Sequence, residues 1–124
     1  MGRWATFIDS PHELRTRTPD NRDLVFLTGT AGVDFRGTGG AWDRDDLYIL
    51  IGPGWGRLDN VAPVASLAAI YNSNYAVNAG WATDNCRWTI WGNQILLIVA
   101  LAVSDSDGYL IRVSYQATAL GQVR

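Results

Sequence analysis

The side chains able to do chemistry in this chain are few and scattered. His12 is the only histidine and stands beside the only glutamate, Glu13. General acid or base work needs a nucleophile or second carboxylate within hydrogen-bond reach. The sequence assigns no such partner, so His12 reads as an exposed loop residue. Cys86, the only cysteine, would need a neighbouring histidine to act as a thiolate nucleophile; it reads instead as a small core residue. The carboxylates Asp43, Asp45 and Asp46, and the pair Asp105 and Asp107, bring oxygen ligands together. Calcium wants six to eight oxygens in a patterned loop, and neither cluster has that pattern. Asp105 and Asp107 suit a hairpin turn with Gly108, which leaves Asp43 to Asp46 as the better cation candidate. Gly52-Pro53-Gly54-Trp55-Gly56 lacks the Lys-Ser/Thr of a phosphate cradle and reads as a turn with Trp55 at its tip. No catalytic residue, cofactor or metal ligand is assigned.

Six tryptophans in 124 residues are the richer signal. An indole has an apolar body and a polar tip, which suits a wet interface or stacking on a sugar ring. Arg, Asn, Asp and Gln are the hydroxyl-binding partners such a site uses. Trp42 and Trp55 fall in Gly-rich loops with Asp43 between them, giving one candidate ligand set: Trp42, Asp43 and Trp55. Their other reading is that loop tryptophans fold back as lids over the ends of the domain.

Composition bounds what must position these residues. All ten basic residues are Arg, the net charge is −2, and no basic footprint for nucleic acid follows. The longest apolar run, Ile95 to Val103, is nine residues, about half a membrane-spanning helix. The first residues lack the apolar core of a secretion signal, so the chain reads as cytoplasmic. Trp, Tyr, Val, Ile and Thr are frequent, Lys is absent and Glu nearly so, and Gly, Asn, Asp and Pro punctuate at short intervals, which favours strands. Strands are expected at Trp4 to Ile8, Leu24 to Ala31, Leu47 to Ile51, Tyr75 to Ala82, Arg87 to Trp91, Ile95 to Val103 and Tyr109 to Leu120. Val61 to Tyr71 fits helix or strand and is taken as strand. Ser10 to Arg22 and Gly37 to Asp46 read as loops. The expectation is a single domain over 1–124, all-β: an antiparallel sandwich, jelly-roll-like, or a small barrel of seven to nine strands.

Turn signals in the C-terminal half suggest a register. A loop over 104–108 would pair Val103 with Tyr109, Leu101 with Ile111, Val99 with Val113 and Leu97 with Tyr115, placing these on one face. The turn Gly92-Asn93 pairs Trp91 with Gln94 and sets Trp88 and Ile90 on that same side. A turn at Asp84-Asn85 would pair Trp81 with Trp88. The opposite face would then carry Asn78, Arg87, Thr89, Trp91, Leu96, Ile98, Arg112, Ser114, Gln116 and Thr118. Two packed layers cannot cover both faces of Ile95 to Val103, so Arg87, Trp91, Leu96, Ile98, Arg112 and Gln116 are expected to form an interface of a homo-oligomer.

The function expected on these grounds is non-catalytic and lectin-like, binding a glycan or other small ligand. A small-molecule-binding barrel, with cyclase or isomerase activity, and a structural assembly subunit are the alternatives. The architectural part predicts a far-ultraviolet circular dichroism spectrum with a single strand-type minimum; paired helical minima would refute it.

Overall fold

A computed structural model describes residues 2–35, 42–72, 80–104 and 109–124. The regular structure is entirely strand, in the order β1 Arg3–Trp4, β2 Phe7–Arg17, β3 Asp23–Phe35, β4 Trp42–Ile51, β5 Trp55–Asn72, β6 Gly80–Trp91, β7 Gln94–Ser104 and β8 Tyr109–Val123. They form two four-stranded sheets, β1-β4-β7-β6 and β2-β3-β8-β5. All pairings are antiparallel except β1 with β4. The sheets face each other as a sandwich and do not close into a barrel.

The central strands β7 and β8 account for this arrangement. Ile95, Leu97, Val99 and Leu101 of β7 are 0–2% exposed, as are Ile111, Val113, Ala117 and Ala119 of β8. Side chains of a strand alternate between its two faces, so each strand presents one apolar row. The two rows meet in the middle of the sandwich, joined by Val25, Leu27, Ala31 and Val33 of β3 and Leu47, Ile49 and Ile51 of β4.

That arrangement corrects the hairpin expected between β7 and β8. Leu101, Val99 and Leu97 do not pair with Ile111, Val113 and Tyr115. β7 pairs with β4 and β6, whereas β8 pairs with β3 and β5. The inward set is the expected one, but its members face each other from two sheets. A period of two determines which side of a strand is apolar and leaves its partner open. Residues 105–108, with Asp105 and Asp107 of the expected turn, lie outside the described residues.

The β6–β7 hairpin forms as expected: Gly92 has φ 63° and Trp91 pairs with Gln94. Trp88 and Cys86 face the core, while Ile90 shares their parity but is 49% exposed on the sheet edge. No turn forms at Asp84-Asn85. β6 runs through with a register shift between Thr83 and Asn85, so Trp81 pairs with Val103 and Trp88 with Leu97. Residues 61–71 are strand, within β5. The expected loop over 10–22 is also corrected, because β2 extends to Arg17. From Ser10 to Arg17 it is exposed on both faces, so it carries no apolar alternation. Its ladder to β3 and the turn at Thr18-Pro19-Asp20-Asn21 hold it. Asn21 is at φ 65°, and the Thr18 N–H donates to the Arg22 carbonyl at 2.9 Å.

Core position and backbone proximity both have measurable consequences. Leu97→Ala should lower the unfolding free energy by about 2–5 kcal/mol. A Cβ on Gly121 would lie 2.2 Å from the Arg57 carbonyl oxygen of β5. Gly121→Ala should therefore cost about 1–3 kcal/mol, as overpacking does. Urea unfolding measures both.

Candidate functional site

Among the described residues the apolar rows pack together between the sheets, and the outer faces of the two sheets are surfaces open to recognition. On the β1-β4-β7-β6 sheet the outward row runs Arg87, Ile98, Tyr48 in register across β6, β7 and β4, and Trp4 of β1 is aligned with Tyr48. One rung away lie Thr89, Leu96 and Leu50. Trp4 meets Tyr48 edge-on at 5.4 Å between ring centroids and meets Trp91 in the same way at 5.4 Å. β1 and β6 are opposite edges of the sheet, so the indoles of Trp4 and Trp91 reach toward each other over β4 and β7. This explains why Leu96, which faces outward, is only 3% exposed. Trp4 and Trp91 themselves remain 44% and 57% exposed.

Polar groups stand beside these rings. The Arg87 guanidinium donates to the Asp46 carboxylate at 3.0 Å, both partly open to solvent. The first strand is tied down by Arg3 to Asp45 at 3.0 Å and by the Ala5 N–H to the Tyr48 carbonyl at 2.9 Å. A Cβ on Gly2 would fall 2.0 Å from the Tyr48 ring, so the backbone there lies directly on that ring. The result is an aromatic platform of Trp4, Tyr48 and Trp91 with a charged pair at its margin.

The residues expected to share one interface are divided by the fold. Arg87, Trp91, Leu96 and Ile98 lie on this outer face. Arg112 and Gln116 belong to β8 and point outward from the other sheet, on the far side of the sandwich. There Arg112 pairs with Asp9 at 3.1 Å and lies 5.0 Å from the Phe7 ring centroid. The cause is the partition of β7 and β8 between sheets. Asn78 lies outside the described residues.

The loop set of Trp42, Asp43 and Trp55 is redrawn. Trp55 is 5% exposed and part of the core, not at a loop tip. Gly52 at φ 76° turns the chain back, the Trp55 N–H donates to the Asn93 carbonyl at 2.7 Å, and Gln94 caps the Gly52 carbonyl at 2.8 Å. The indole is thereby folded against the end of the sandwich, where its apolar area is removed from water. Trp42 and Asp43 open β4, paired with Ser104 and Val103, and so stand in a strand; their side chains lie outside the described residues.

Asp45 and Asp46 are consecutive in β4, so their carboxylates point to opposite faces and cannot share one ion. They engage Arg3 and Arg87 respectively. Among the described residues no three His, Cys, Asp or Glu side chains are grouped to hold a metal. His12 is exposed on β2. A cleft of about 200 Å³ between β5 and β6 is lined by Pro63, Val64, Ala65, Thr83, Asn85 and Cys86. Drug-sized ligands occupy roughly 300–1,000 Å³, so the cleft is small for a whole ligand.

Sequence reasoning does not point to Trp4 or Tyr48, and it reads Asp46 as part of a cation cluster, not as the partner of Arg87. The alternation of Leu47, Ile49 and Ile51 contains the signal for Tyr48, which must face the other way. Nothing local signals Trp4, because its place depends on a parallel pairing with a strand more than forty residues away. Comparison of the chain with models of known families, with curated proteins and with solved structures finds no match.

Half-burial pushes the Cys86 thiol above its ordinary value, because desolvation disfavours the thiolate. Native Cys86 should therefore be alkylated more slowly at pH 8 than the same residue in urea. Since the folded value is the higher one, this thiol's contribution to stability is present at neutral pH and lost as pH rises through the raised value. A thiol titration followed by absorbance measures it, and a native rate equal to the denatured rate would refute it.

Proposed function

We propose that this chain is a non-catalytic, lectin-like carbohydrate-binding module whose ligand surface is the outer face of the β1-β4-β7-β6 sheet. The observation that carries the reading is the pair Trp4 and Trp91, held 5.4 Å apart and each roughly half exposed over a sealed Leu96. Indoles supply stacking area for the C–H face of a pyranose, and the Arg87–Asp46 pair offers donors and acceptors for hydroxyl groups. The platform replaces the Trp42, Asp43 and Trp55 set as the ligand surface, because Trp55 belongs to the core.

An assembly subunit is the second reading. Its support is on the opposite outer face, where Leu14, Phe26 and Val64 are 71%, 38% and 62% exposed. Large particles without glycan binding would favour it.

A glycan array followed by calorimetry on the bound sugar tests the proposal. Trp91→Ala and Trp4→Ala should each weaken binding by about 1–3 kcal/mol, the size of a lost aromatic contact, while the unfolding midpoint stays close to wild type for Trp91→Ala. If the wild type binds no glycan, the proposal fails.

A further inference from the structure

β2 is an edge strand whose outer side has a specific chemistry. Its neighbour β3 pairs Leu14 with Phe26, Glu13 with Leu27 and Arg15 with Val25. The Thr18 N–H donates toward β3, to the Arg22 carbonyl. Backbone groups of an antiparallel strand alternate in direction, so Thr16, Leu14 and His12 also direct theirs at β3. Glu13, Arg15 and Arg17 therefore present N–H and C=O groups along the free edge. Leu14 is 71% exposed, and Glu13 and Arg15 form an ion pair in solvent.

We propose that this edge pairs with the same edge of a second copy of the chain, antiparallel about a two-fold axis at Leu14. Glu13 then stands opposite Arg15 of the second copy, and Arg15 opposite its Glu13. These are the residues whose backbone groups face outward, so the ladder and the charges use the same register. Leu14 meets Leu14 of the second copy in a non-hydrogen-bonded pair, the type in which side chains approach most closely. On the outer face this makes an unbroken apolar row: Phe26, Leu14, then Leu14 and Phe26 of the second copy. Shifting the pairing by two residues either way would set Glu13 against Glu13 or Arg15 against Arg15 at the axis.

The ends of the pairing are also defined. Arg17 falls opposite Pro11, which has no N–H but can still accept from Arg17, and the irregularity between Asp9 and His12, with Ser10 at φ 49°, prevents extension beyond it. Edge prolines, bulges and charges are devices that discourage indiscriminate strand addition. Here they leave open one self-complementary stretch, which closes on two copies as an isologous interface does. It lies on the sheet opposite the aromatic platform and does not depend on the glycan reading.

Sedimentation of the full chain from about 10 to about 300 μM, spanning the affinities of small interfaces, tests this. The expected result is a monomer–dimer equilibrium. Glu13→Arg or Arg15→Glu alone places like charges opposite each other twice per dimer, and each should raise the dissociation constant roughly tenfold or more. The combined Glu13→Arg, Arg15→Glu variant restores the complementarity and should dimerise like the wild type. Both positions are exposed, so circular dichroism should be unchanged in all three variants. In a Cys86→Ser background, Leu14→Cys should cross-link under mild oxidation while His12→Cys, opposite Thr16, should not. A wild type that stays monomeric throughout, or a dimer indifferent to both single reversals, would overturn the proposal.

Discussion

The contact between the inner rows of β7 and β8 is what the rest of the molecule depends on. Each is an inner strand of its sheet, flanked on both sides, and each contributes an alternating apolar row that the structure buries almost completely. Burying a Val, Leu or Ile contributes about 1.5–3 kcal/mol, and β7 and β8 bring Ile95, Leu97, Val99, Leu101, Ile111 and Val113 into the core. Were the two strands paired in one sheet, their rows would lie side by side on one surface and need a further layer. Dividing them between two sheets lets each row cover the other within a chain of this length.

Two consequences follow for the surface. Among the described residues the buried side chains form one apolar cluster between the sheets, and the outer faces that stand open to recognition differ. One carries indoles and a tyrosine drawn together from β1, β4 and β6. The other carries isolated apolar side chains on β2, β3 and β5, with charges along the β2 edge. The ion pairs between and beside these elements are exposed, and such pairs contribute little to stability. Their role is geometric. Arg22 and Arg57 both meet Asp59, which joins the β2–β3 turn to β5. Hydrogen bonding from Arg57 is the largest influence holding that carboxyl below its usual range, and Arg22 adds to it.

Trp55 and Trp4 illustrate how a side chain's role depends on what the fold brings near it. Both are large, partly polar and close to Gly or a chain end. Trp55 follows a glycine turn that folds it over the core, where it becomes part of the hydrophobic cluster. Trp4 is laid on a sheet edge by a two-residue parallel pairing and keeps nearly half its surface in water.

From its residues alone this chain can be read as all-β, with the inward residues of β7 and β8, the β6–β7 turn at Gly92-Asn93 and the outward setting of Arg87, Trp91 and Ile98 all in place. Those features depend on alternation and turn chemistry, which act over a few residues. The strand partners, the separation of Arg112 and Gln116 from Trp91, the burial of Trp55, the exposed strand over Phe7–Arg17 and the approach of Trp4 to Trp91 were decided only by the tertiary structure. The physical reason is that a strand's hydrogen-bonding edges are nearly alike whatever its sequence. Its partner is selected by which arrangement seals the apolar rows of the whole chain at once.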